Sequence, residues 1–190
     1  KVSPLEHRSK IDFLTQVVHQ MVIDVSKKYL PYMAKGFDDP RVHVYIRDGA
    51  AFVREKISRY DVIIVDSSDP VGPGELLFKK PFYKSLKTAL KPGGIIATQG
   101  ESVFLHKNCV TNLVKITREL FIRQAYACFM VPTYPGGNIG ICLGSLGPEL
   151  TRPARKIPDD LQSRLKFYTP EVHEAAFVLP RFAQVMLETL

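Results

Sequence analysis

No stretch of this 190-residue chain is apolar for long enough to span a bilayer, and its opening KVSPLEHRSK lacks the apolar centre of a secretion signal. No membrane association is therefore expected, and the expected compartment is the cytoplasm. Cysteine is scarce. Of the three, Cys128 and Cys142 fall inside apolar strand-like runs, Cys109 stands near a helix start, and neither CxxC nor Cys/His metal spacing occurs. That argues against a zinc module and a disulfide framework and fits a reducing environment. Long basic runs are missing as well. The formal net charge is +7, yet pairs such as Lys27-Lys28 and Lys79-Lys80 are the longest runs, so the excess reads as a solvated surface and no nucleic-acid partner is expected. Ser67 and Ser68 have no GxSxG elbow around them, which removes an α/β-hydrolase nucleophile. His106 and His173 lack a second ligand at metal spacing; both read as structural, and no metal is expected. There is no internal repeat or low-complexity segment.

What is present alternates between strand and helix signals. RVHVYIRD sets Val42, Val44 and Ile46 on one face with period two and stops at Asp48-Gly49. DVIIVD is continuously apolar, the pattern of a strand buried on both faces of a parallel sheet, and GIIATQG repeats it. AAFVREKIS and PFYKSLKTAL read as helices, the second with Pro81 in its first turn. CVTNLVKITREL carries Val110, Leu113, Val114, Thr117 and Leu120 at helical spacing. QAYACFMVPTY and NIGICLGSL are expected to pair antiparallel around Pro135-Gly136-Gly137. Repeated strand–helix units predict an α/β fold with a mostly parallel sheet. After Leu146, TRPARKIP reads as a linker to C-terminal helices in DDLQSRLKF and in PEVHEAAFVL–PRFAQVMLETL, the latter interrupted at Pro180.

Ligands of such sheets bind beyond the carboxyl ends of the strands. Three polar clusters fall there: Asp48-Gly49, Asp66 to Asp69, and Gln99-Gly100-Glu101. In DSSDPVGP a buried strand delivers Asp66, and Asp69 follows in a loop stiffened by prolines. Two carboxylates so close suit a substrate ammonium through charge-assisted hydrogen bonds, and one of them suits removal of a proton from an attacking amine. The same residues equally suit the capping of a turn. Asp48-Gly49 fits an adenine amino group or an ordinary turn. Tyr134 offers a hydroxyl and a ring face to an alkyl amine, or is a half-buried loop tyrosine.

Together, MVIDVSKKYLP, the DG of IRDGAAF, YDVIIVDSSDPVGPGELLF, FYKSLKTALKPGGIIATQGES, PTYPGGNIG and FYTPEVHEAAFVLPRFA resemble the aminopropyltransferases, the polyamine synthase family that includes the spermidine synthases. DSSDPVGP and VHEAAFVLP are the specific pieces; LKPGG is widespread in methyltransferase-like folds. The resemblance implies a Rossmann-like, methyltransferase-type fold, a homodimer, and transfer of an aminopropyl group from decarboxylated S-adenosylmethionine to putrescine. Decarboxylated S-adenosylmethionine would be a co-substrate, with no tightly bound cofactor. On the same resemblance Asp66 is the catalytic acid–base residue. Asp69 and Tyr134 hold the diamine, Ser67 and Ser68 shape its site, and Gln99 lies near the transferred chain. Asp48 and Gly49 contact the adenine, and Pro73 lines its pocket. Spermine synthase and putrescine N-methyltransferase are the alternatives within the enzymes, and an inactive dimerisation partner is the alternative outside them.

The family also carries an N-terminal β-rich domain, a GGGDGG loop and an EID strand end that binds ribose, none of which has a counterpart here. His19 passes directly to Gln20 where EID is expected, so the chain reads as an incomplete version. The expected division is an atypical segment over 1–20, a partial Rossmann-like domain over 21–146 and a helical extension over 147–190. In the family's sheet the first two strands lie between the strand ending at Asp48 and the one ending at Asp66. Without them an exposed strand edge is expected. Residues 11–29 are expected to form one amphipathic helix, with Phe13, Leu14, Val17, Val18, Met21, Val22 and Val25 on one face.

Overall fold

The computed structural model describes residues 11–15, 20–67, 70 and 72–190. The chain divides into two compact units, Lys1–Val53 and Arg54–Leu190.

In the first unit, β1 (Ile11–Thr15) runs parallel to β2 (Val42–Ile46), with Ile11 opposite Val42 and Thr15 opposite Ile46. Parallel neighbours need a crossover. It is supplied by α1 (Gln20–Tyr29), α2 (Pro31–Ala34) and a 3₁₀ turn at Lys35–Asp38. The single helix expected from residue 11 therefore does not form: its first part is a strand. A short mixed run such as Ile11-Asp12-Phe13-Leu14-Thr15 satisfies either period, and a pairing partner in β2 decides for the strand. Val17, Val18 and His19 lie outside the described residues. The unit ends with α3 (Gly49–Arg54), which runs one residue past the boundary.

The second unit is a four-stranded sheet flanked by helices. Its strands are β3 (Tyr60–Val65), β4 (Leu90–Glu101), β5 (Arg123–Met130) and β6 (Asn138–Ser145), in the order β3-β4-β6-β5. β3 and β4 are parallel, while β6 is antiparallel to both β4 and β5, which gives the expected C-terminal hairpin. The Lys91–Gly94 turn is absorbed as a register shift between Tyr60/Leu90 and Val62/Ile95. A 3₁₀ segment (Gly72–Phe78) leads into α4 (Lys80–Ala89), and α5 (Lys107–Leu120) precedes β5. The C-terminal pieces are α6 (Asp159–Gln162), α7 (Pro170–Ala175) and α8 (Arg181–Glu188). Among the described residues no helix is long and apolar enough to cross a membrane.

The spacing of Val110, Leu113, Val114 and Thr117 gives α5 one continuous apolar stripe, and all four are fully buried. Tyr83 and Leu86 of α4 and Ile96 of β4 join them. Two of the polar side chains taken into this core are paired with each other. Tyr83 and Thr98 share a hydrogen bond of 3.0 Å, and Thr98 Oγ1 also donates to the Cys142 carbonyl at 3.3 Å. Burial pushes the Cys142 thiol up to about 11, so it stays protonated and inert. Tyr83→Phe removes one buried hydrogen bond and leaves Thr98 a second partner, so it is expected to cost about 1 kcal/mol in urea unfolding.

One sequence expectation fails in β3. Its continuous apolar run predicts burial on both faces, yet Val62 is 55% and Ile64 76% exposed. The strand lies at the edge of its sheet, with β4 on one side and no described strand on the other.

Candidate functional site

In the second unit the β3–β4 register places Val65 opposite Thr98, so Asp66, just past β3, and Gln99, near the end of β4, lie at the same end of two adjacent parallel strands. Asp66 is exposed and Ser67 half-buried. Gln99 Nε2 donates to Glu101 Oε1 at 3.1 Å. The other Glu101 oxygen lies 3.2 Å from His106 Nδ1, and Glu101 itself is only 6% exposed. A carboxylate so nearly removed from water needs such partners. The backbone at Glu101 has φ +58°, a left-handed conformation that side chains with a Cβ rarely adopt. Its carbonyl accepts the Tyr126 hydroxyl at 2.6 Å, which anchors that conformation. Burial raises the pKa of the Tyr126 phenol, which therefore keeps its proton and remains a donor.

Tyr134 stands in the β5–β6 connection at this same end and is half-exposed. Its loop closes on itself. The Val131 amide donates to the Gly137 carbonyl at 2.9 Å and the Gly137 amide to the Tyr134 carbonyl at 2.9 Å. Gly136 and Gly137 both have positive φ, which the tight turn requires. Asn138 then ties the loop to the β4 end: its Nδ2 donates to the Gly136 carbonyl at 2.9 Å, and its Oδ1 accepts from Ser102 Oγ at 2.8 Å. Asp66, Ser67, Gln99 and Tyr134 thus share one sheet end.

Asp48 and Gly49 belong to the first unit. Asp48 Oδ1 accepts the Ala50 and Ala51 amides at 2.8 and 3.0 Å, so its carboxylate caps α3, and Gly49 is buried. Ser68 and Asp69 lie outside the described residues; of Pro73 only the backbone is described, within the 3₁₀ segment.

Glu101 is the residue that reading the sequence for roles passed over. The available signal was parity: Gln99 and Glu101 flank a glycine and face the same side of a strand. His106, read as structural, is the partner of that carboxylate. His173 is structural as expected, with Nε2 3.1 Å from the Leu150 carbonyl and Nδ1 3.2 Å from the Tyr168 hydroxyl. A cavity of about 390 Å³ lined by Arg118, Arg123, Gln124 and Glu149 lies at the opposite end, where β5 begins. It is away from the strand ends that carry the convergent polar groups. In a chain of net charge +7, the Asp66–Glu101 end offers carboxylates to a cation and an exposed base to a proton.

A sequence profile of the spermine/spermidine synthase domain matches residues 9–153. Spermidine synthase of Dictyostelium discoideum is 46% identical over 162 residues, covering 85% of this chain and 57% of that protein. Putrescine N-methyltransferase 2 of Nicotiana tabacum is 44% identical over 191 residues, covering 95% of this chain and 54% of that one. The crystal structure of a spermidine synthase in complex with the transition state analogue AdoDATO superposes with a TM-score of 0.84 at 31% identity, covering 96% of this chain and 62% of that chain. The chain therefore spans a little over half the length of these relatives.

Proposed function

The chain belongs to the spermine/spermidine synthase family, and from that membership we propose that it takes part in aminopropyl transfer from decarboxylated S-adenosylmethionine to putrescine, giving spermidine and methylthioadenosine. The observation that carries this reading is the convergence of Asp66, Gln99 and the near-buried Glu101 at one sheet end, an acidic spot on a basic protein.

The chemistry asks little beyond positioning. The carbon to be transferred is already activated by the adjacent sulfonium, so the reaction needs an amine lone pair in line with the carbon–sulfur bond. The amine arrives protonated at neutral pH, and Asp66 takes the proton. The nitrogen–carbon bond forms as the carbon–sulfur bond breaks, and the sulfur leaves as a neutral thioether. Glu101, held by Gln99 and His106, adds fixed negative charge nearby. The Tyr134 hydroxyl accepts from the far ammonium of the diamine, a role that the family resemblance gives to Asp69 as well. Asp48, Gly49 and Pro73 take the adenosine part, Asp48 combining that contact with its capping of α3. Assembly as a homodimer and residence in the cytoplasm belong to the same proposal.

The test is turnover by the purified chain with both substrates, spermidine and methylthioadenosine being read by mass spectrometry. The similarity to the tobacco enzyme supports a second reading, N-methylation of putrescine. Offering S-adenosylmethionine and its decarboxylated form in parallel separates the two by product mass. A folded chain that yields neither product favours the interaction subunit. Tyr134→Phe is expected to raise KM for putrescine about 3- to 10-fold with kcat nearly unchanged, the size of one lost hydrogen bond. A steady-state titration of putrescine checks it.

A further inference from the structure

Glu101 is a costly residue where it stands. It is nearly buried, its backbone is left-handed, and both are unfavourable for a charged side chain with a Cβ. Each of its oxygens meets a side chain of the same sheet end: Oε1 accepts from Gln99 Nε2 at 3.1 Å, and Oε2 lies 3.2 Å from His106 Nδ1. His106 is placed at a cost too. It occupies the N-cap of α5, where a side chain ordinarily accepts a backbone amide of the first turn, and its ring makes no such bond. The ring turns to Glu101 instead. The turn between the two is closed by the Leu105 and His106 amides, which donate to the Ser102 carbonyl at 3.1 and 2.8 Å.

We propose that the Glu101–His106 couple is a positioning device for Gln99, fixing its carboxamide with the nitrogen inward and Oε1 outward, so that the sheet end presents an acceptor to the N–H groups of an alkyl ammonium. The inference rests on the proposed amine-acceptor reading and says how that site would select the charge of its ligand. The inventory of donors and acceptors carries it. A free glutamine amide can turn either end outward, and only the oxygen suits a cation. A carboxylate accepts hydrogen bonds and cannot donate them, so Glu101 accommodates only the NH₂ end of Gln99. Gln99 is half-buried, and its Oε1 takes no partner among the described residues. Holding the carboxylate still falls to His106. A ring protonated at Nδ1 donates to the oxygen that Gln99 leaves, so the glutamate cannot turn away from the amide.

The experiment is calorimetric titration of the folded whole chain with putrescine, joined to nitrogen-15 shifts of the His106 ring. The wild-type ring is expected to carry a proton on Nδ1 whether or not Nε2 has one. His106→Ala releases one carboxylate oxygen and is expected to weaken putrescine binding about 10-fold, the size of one misdirected hydrogen bond to a charged group. His106 is half-exposed, so the unfolding midpoint should move by less than about 2 °C. His106→Asn, whose Nδ2 can stand where Nδ1 stands, is expected to restore the affinity to within about threefold. A merely structural histidine would show its loss in the midpoint and leave the affinity alone. An Nδ1 without a proton, an affinity indifferent to His106→Ala, or an equal loss in His106→Asn overturns this proposal and leaves the acceptor reading standing. A folded wild-type chain that binds no putrescine overturns the acceptor reading, and this proposal with it.

Discussion

Asp66→Asn is expected to lower turnover by about 10²- to 10⁴-fold, the usual contribution of a positioned proton acceptor. The amide keeps the shape and some hydrogen bonding of the carboxylate but cannot take the proton. The residual rate then depends on amine that is already neutral. It should rise about tenfold per pH unit toward the amine's own pKa, about 10 if lysine is the guide. Under the proposed role the wild type should be flatter, because Asp66 would remove the proton in place. Stability should move by less than about 0.5 kcal/mol, since Asp66 is exposed beyond the end of β3 rather than packed in the core. Rates across pH, paired with thermal unfolding of both proteins, check this. Near-normal turnover in the variant removes Asp66 from its role. A loss without the altered pH dependence leaves it as a binding group only.

Gly140→Ala is expected to be the most damaging small change in the fold. A Cβ built there would fall on the Tyr126 hydroxyl and within 2.6 Å of the Glu101 carbonyl. Those are the two groups joined by the 2.6 Å bond that anchors the left-handed turn at Glu101. Tyr126 is 4% exposed and has no open space to retreat into, so the methyl group both overpacks the sheet and breaks a buried hydrogen bond. Overpacking and a lost buried partner together cost about 3–5 kcal/mol. For a chain of this size that is a fall of about 10 °C in the unfolding midpoint, read by differential scanning calorimetry. Activity should fall with it, because Glu101 and Gln99 lose their alignment.

These two residues mark how far the sequence could be read. Asp66 was legible because an apolar strand ending in acidic residues is a local pattern, and the DSSDPVGP wording reinforced it. The antiparallel β5–β6 pair and the stripe of α5 were legible for the same reason: periodicity and turn chemistry act over a few residues. Glu101 was not legible as more than a polar strand end. The hydrogen bond that anchors its positive φ comes from Tyr126, and the room for that bond from Gly140, 25 and 39 positions further along. Ile11–Thr15 was misread because three apolar residues in five fit both periods, and the strand that decides the matter begins at Val42. The exposure of Val62 and Ile64 escaped the pattern in another way. An apolar run records what a strand is suited to touch, and the neighbour on that side is not among the described strands.

The hydrogen bond from Cys128 to Ala176 governs something larger than the local docking of α7. β5 is an outer strand of its sheet, and an outer strand whose amide is already engaged offers one donor fewer to a strand arriving from outside. Proteolysis that released the short helix after Thr169 is therefore expected to lower solubility, read by light scattering of the nicked chain.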